Sequence, residues 1–229
     1  MSSPAVSSES VPAVAADPEP PAIGKLYAVL LAGEYAAFNR LIEESAMAPD
    51  VRARINIARM VASEITHFER LSDEVVRRDI DPAEAVLRYR QVFDEYHEMT
   101  RPKTWFEALV KAYIGDGLAA DFYSELADGL PPGPREVVAD VLAATGNSEF
   151  ARADIRAAIA ADPALRSPLT LWGRRLLGEA ITHAQWVLAA EEEVTDLVFS
   201  GAASLQNMAV FFDTVAARHA RRMDDLGLG

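Results

Sequence analysis

Apolar residues recur along this chain at intervals of three and four over long stretches, the pattern of helices that bury one face. Tyr27, Leu31, Phe38 and Leu41 form one such stripe, Met60 and Leu71 belong to a second, and Leu109 and Ala120 to a third. The pattern breaks at Ala48-Pro49-Asp50, Asp79-Ile80-Asp81-Pro82, Arg101-Pro102, 129–134, Asp162-Pro163 and Arg166-Ser167-Pro168, where proline or glycine stops a helix. These breaks predict seven helices, over 25–46, 50–78, 82–99, 103–127, 134–161, 168–200 and 203–226. Asp50 and Asp81 stand where N-caps belong, and Pro82 occupies a first helical position. No β-rich segment competes with these helices. The expected fold is all-α: a four-helix bundle with the third helix as a crossover and additional C-terminal helices. Residues 1–22, rich in Ser, Pro, Ala and Val and without Lys or Arg, are expected to be a disordered tail. Residues 23–229 then form a single domain, with the bundle over about 25–161 and the C-terminal helices over about 168–226.

Several stripes carry a charge where an apolar residue belongs. Glu34 sits between Leu31 and Phe38, and Glu64 and His67 sit between Met60 and Leu71. The three-residue step brings Glu64 and His67 side by side on one face. Asp116 lies among Leu109, Tyr113, Ala120 and Tyr123, and Glu149 follows Val138, Leu142 and Thr145, with Arg152 next on the stripe. Glu179 and His183 share a face with Leu176 and Trp186 in the sixth predicted helix. A buried carboxylate without a partner costs several kcal/mol, so acids converging on one core need cations. A pair of metal ions satisfies that need. Tyr113 and Tyr123, beside Asp116, read as core aromatics or as hydrogen-bond donors near a metal. His97 and His219 lie among polar neighbours and are expected at the surface.

Composition narrows the chemistry. The chain has no cysteine, which excludes disulfides, thiolate catalysis and iron–sulfur clusters. With four histidines, a transition-metal site must rest mainly on carboxylates, which suits iron or manganese. A net charge of −13 opposes nucleic-acid binding, and the short cluster of Arg218, Arg221 and Arg222 reads as a solvated helix end. No apolar run is long enough to span a membrane, and no secretory signal opens the chain, so the cytoplasm is the expected location. Gly115-Asp116-Gly117-Leu118-Ala119-Ala120 matches a nucleotide-binding string, but it lies inside a helical pattern with no preceding strand. Its glycines point instead to a thin helix surface.

Glu34, then Ser63-Glu64-Ile65-Thr66-His67, then Asp116, then Ser148-Glu149-Phe150-Ala151-Arg152 resembles the ligand pattern of ferritin-like di-iron carboxylate proteins. Within that superfamily the chain is most similar to the tRNA 2-methylthio-N6-isopentenyladenosine hydroxylase group, in an actinobacterial branch, over about residues 27–159. The resemblance implies two irons, with Glu64 and Glu149 bridging, Glu34 and Asp116 terminal, and His67 a nitrogen ligand. It also implies an electron donor and a modified tRNA as substrate. Two positions depart from the pattern. Asp116 replaces a glutamate, and Arg152, which has no lone pair to offer, replaces the second histidine. The site can therefore hold two metals, one or none, with His183 as a substitute ligand and Glu179 and Tyr113 as neighbours. Three readings follow: a dioxygen-using hydroxylase, a non-catalytic helical scaffold and an iron-storage shell. The oligomeric state does not follow from the sequence.

Overall fold

The computed structural model of the chain describes residues 19–143, 148–199 and 204–229, and these form nine α-helices and no strand. They are α1 (Pro21–Glu44), α2 (Val51–Val76), α3 (Pro82–Met99), α4 (Trp105–Asp128), α5 (Pro132–Ala143), α6 (Glu149–Ala161), α7 (Arg166–Ala190), α8 (Glu192–Val198) and α9 (Ser204–Leu226). The expected caps are present. Asp50 Oδ1 accepts from Ala53 N at 2.8 Å, and Asp81 Oδ1 accepts from Ala83 N at 2.7 Å. Thr104 accepts from Glu107 N at 3.2 Å and sets the start of α4.

Three expected boundaries change. α1 begins at Pro21, inside the segment read as tail, because proline suits a first helical position and Ala22 and Ile23 are buried. Residues 1–18 of that tail, and Thr145 of the fifth predicted stripe, lie outside the described residues. The fifth predicted helix is two, α5 and α6. The sixth is also two, because the backbone leaves the helix at Glu191. That residue is buried, with Arg88, Tyr89 and Lys25 converging on its carboxylate from α3 and α1. The run Glu191-Glu192-Glu193 reads as a solvated face in sequence, and nothing local marks the first of the three as a buried anchor.

The helices stack in two layers. α1 packs between α2 and α3, while α4 packs against α5, α6, α7 and α9. Contacts of α3 with α7 and of α2 with α5 close the layers at their sides. α4 is the central helix of its layer, and Ala108 to Ile114 are all buried, so no single face of it is the core face. Gly117 lies where α9 crosses α4, and a Cβ there would collide with the Arg222 side chain. Arg222 and Arg218 both pair with Asp121, and Arg218 also reaches Glu125 at 2.6 Å. Two of the three C-terminal arginines are thus interhelical ties and not a solvated end. No helix among the described residues is long and apolar enough to cross a membrane.

His97 and His219 are not surface residues. His219 is 3% exposed with both ring nitrogens unpartnered, and His97 Nδ1 is likewise buried. Burial lowers the His219 imidazole to about 4, with Arg222 adding to the effect and Asp121 opposing it. An unfolded histidine titrates near 6.5, so between that pH and about 4 the unfolded chain takes up a proton that the native state refuses. The His219 contribution to stability is full above pH 6.5 and is lost as pH drops through this window, by about 2 kcal/mol after allowing for solvent screening. Urea titrations at pH 7 and pH 4.5 check this. The loss is expected to be smaller in His219→Leu than in the parent, and an equal loss in both contradicts it.

Candidate metal centre and adjoining cavity

Glu34 of α1 and Glu64 and His67 of α2 come together where the two helices pack face to face. One ligand atom from each lies within 4.8 Å of the others, and the group is the one such cluster of three among the described residues. His67 Nδ1 is 3.3 Å from Glu34 Oε2 and 3.7 Å from Glu64 Oε2. Tyr123 of α4 donates its hydroxyl to the other Glu34 oxygen from across the bundle. All four side chains are buried or nearly so, with Glu64 at 13% the most open.

The environment sets the protonation of this group. Burial pushes Glu34 up, but hydrogen bonds from His67, Glu64 and Tyr123 and the His67 charge outweigh it, leaving the carboxyl below the usual range. Glu64 rises to about 8, through burial first and then the charge of Glu34, against the opposing pull of His67. Burial disfavours charge on His67, yet its hydrogen bonds to Glu34 and Glu64 raise it to about 10. The three groups hold protons in common, and a metal ion bound among them would displace protons.

The other expected ligands fall elsewhere. Asp116 faces the same interior from α4 but accepts a 2.7 Å hydrogen bond from Ser148, at the start of α6. Glu149 does not point inward. Its side chain is 63% exposed and pairs with Arg152 at 2.7 Å. α6 begins at Glu149, so its side chain lies in a first turn, where an acid suits the helix dipole. Arg152 is also partly exposed and pairs with Glu149. Tyr113, one turn before Asp116, is buried near Asp225 and Glu149 and does not line the cavity, and Tyr123 takes the role beside the carboxylates. His183 is buried, with Nδ1–H donating to the Glu179 carbonyl at 2.7 Å, while the Glu179 side chain lines an outer groove between α3 and α7. His67 Nε2, on the far side of the ring, is buried without a protein partner among the described residues.

A cavity of about 290 Å³ adjoins the group and separates α1 and α3 from α4 and α7. Most of its wall is apolar, from residues such as Leu30, Phe93, Leu118, Phe122, Val187 and Phe211. Gly115 lines it, and a Cβ there would meet nothing within 4 Å. Gly115→Ala should therefore stabilise the protein by about 1 kcal/mol, the helix-propensity difference, as read by the midpoint of urea unfolding. A destabilised variant would mean that the interior is closed at that point. One end of the cavity is polar, and Arg40, Glu44, Lys111, His97 and His183 meet there.

The donor set fits a metal ion. Two carboxylates and one imidazole, with displaceable protons and an open side toward a cavity, are a hard, incomplete coordination shell. No curated protein matches the chain. A family model described as a ferritin-like domain of actinomycetes matches residues 20–201, a span that includes α1 to α8 and every residue of the buried group. The helical bundle, its buried glutamate and histidine side chains and this match agree, and the chain belongs to the ferritin-like domain family of actinomycetes.

Proposed function

We propose that this protein is a hydroxylase-like non-haem iron oxidoreductase that uses dioxygen on an apolar substrate. The observation that carries the reading is the junction of Glu34, Glu64 and His67 with a mostly apolar cavity. Glu34 and Glu64 would supply oxygen ligands and His67 a nitrogen ligand. Asp116, hydrogen-bonded by Ser148, is a further carboxylate on the cavity wall that would help to hold a second ion. Bound there, iron would supply the one-electron chemistry that reduces dioxygen, and the same hard donors accept manganese. Tyr123 fixes the Glu34 carboxylate through its hydroxyl. The apolar wall holds the substrate and keeps bulk water from it. An electron donor is required, since placing one oxygen atom in a C–H bond leaves the other to be reduced to water.

A modified tRNA, the substrate implied by the resemblance, suits the surface less well. The net charge of −13 repels phosphates, and Arg218 and Arg222 are committed to Asp121 and Glu125. A small apolar molecule is the substrate class that the cavity favours. A non-catalytic scaffold is the second reading, and the surface pairing of Glu149 with Arg152 favours it.

Anaerobic loading of the full chain with ferrous iron, followed by desalting, metal analysis and admission of air, separates these readings. The oxidoreductase retains about one iron per chain or more, as a three-ligand site does, and consumes dioxygen. A chain that retains no iron is the scaffold. Elution as a large closed shell on size exclusion would instead point to storage.

A further inference from the structure

The polar end of the cavity has a chemistry that the metal group does not use. Lys111 and Arg40 are almost fully buried there, at 6% and 10% side-chain exposure, and the carboxylate between them is Glu44. Lys111 Nζ is 3.3 Å from Glu44 Oε1, donates to the Thr100 carbonyl at 2.7 Å and lies 5.8 Å from the centroid of the Tyr96 ring, so its one ion-pair partner among the described residues is Glu44. Arg40 reaches the same Glu44 oxygen at 3.4 Å. Two buried cations thus share one buried anion. Glu43 is exposed to solvent, and Asp116 takes its hydrogen bond from Ser148 at the start of α6.

Two imidazole nitrogens with no protein partner are buried at this same end: His97 Nδ1, which can donate to an anion in its Nδ1–H tautomer, and His183 Nε2, an acceptor because Nδ1 carries the proton given to the Glu179 carbonyl. The cations Lys111 and Arg40 both act on His97, and no acid does so appreciably. Buried polar atoms of this kind call for a polar partner and not for another methylene. The surplus cation sets the sign of that partner's charge, and the rest of the cavity sets its body.

Spacing along α1 then fixes the length. Glu34 lies six residues from Arg40 and ten from Glu44, or about 9 to 15 Å at the rise of an α-helix. An extended alkyl chain advances roughly 1.3 Å per carbon, given C–C bonds of about 1.5 Å, so carbons about seven to twelve would pass the Glu34 and His67 side chains. We propose that the cavity binds an unbranched aliphatic monocarboxylate, its carboxylate held by Arg40 and Lys111 and its chain running along α1 and α4 past Glu34. An outer groove between α3 and α7, flanked by the exposed Leu87, Met99 and Trp186, shares His183 with the cavity wall. Binding of the acid stands on the cavity alone. That the bound acid is also the molecule oxidised rests on the iron reading above.

The test uses the full chain stripped of metal, titrated calorimetrically with dodecanoate and separately with dodecan-1-ol, while iron retention is measured on parallel samples. Dodecanoate should bind at least about tenfold more tightly than the alcohol, as a charge-assisted head group would. Lys111→Met should narrow that gap. Glu44→Gln, which keeps shape and removes the competing anion, should widen it, so the test survives a Lys111 variant that fails to fold. Equal affinity for acid and alcohol, no saturable binding of either, or a gap indifferent to Glu44→Gln overturns the proposal. Iron retained without acid binding defeats this inference alone, and acid bound without iron defeats only the oxidoreductase.

Discussion

His67→Ala should lower iron affinity by more than about a hundredfold, because it removes the nitrogen donor and leaves two carboxylates that no longer share a cation. Glu34→Ala should match it, since Tyr123 would lose its acceptor along with the ligand. Arg152→His and Glu149→Ala should leave metal content unchanged, because both side chains lie on the surface in contact with each other. This contrast separates the geometry from the sequence pattern. If Arg152→His raised iron per chain, α6 would have to turn inward and the site would be the full two-metal arrangement. Metal analysis of the four variants after identical loading, with circular dichroism to confirm folding, decides it.

Leu109→Ala should cost about 3 to 5 kcal/mol and lower the melting temperature by roughly 10 °C. Leu109 has no exposed surface and does not line the cavity, so its removal opens new space in closely packed core. Leu205, at 81% exposure, is the control, and truncating it should change stability by less than about 0.5 kcal/mol. Thermal unfolding of both variants gives the comparison. A loss below about 1 kcal/mol at Leu109 would mean that α4 is not the packed centre of its layer.

Periodicity was a good guide wherever one face of a helix is buried and the other is wet. α1 and α2 are such helices, and Glu34, Glu64 and His67 stand out as charges inside stripes that the structure buries. On α4 the same reasoning has less to work with, because Ala108 to Ile114 are all buried and the pattern cannot say which side looks at the site. Asp116 lines the cavity, while Tyr113, on the same stripe, does not. Glu149 shares the stripe of Val138 and Leu142 in the sequence, but α6 starts at Glu149 itself, so the stripe does not fix its direction. The buried acids Glu44, Glu74 and Glu191 were not singled out because their cations come from the chain. Glu74 has Arg70, Arg77 and Arg78 one turn away, Glu191 draws on Lys25 and Arg88, and Glu44 draws on Lys111 across the bundle. Burial of an acid alone thus does not imply a metal. The convergence of two acids and an imidazole without a neighbouring Lys or Arg is the more specific signal.

The space between the two helical layers has a mechanical side as well. A cavity of about 290 Å³ is space that the side chains of the bundle do not fill themselves. Hydrostatic pressure favours whichever state occupies less volume, so the helices around it yield to compression more readily than the closely packed core around Leu109. A molecule that fills the cavity takes up that space, and it would stiffen the protein against pressure before it had undergone any chemistry.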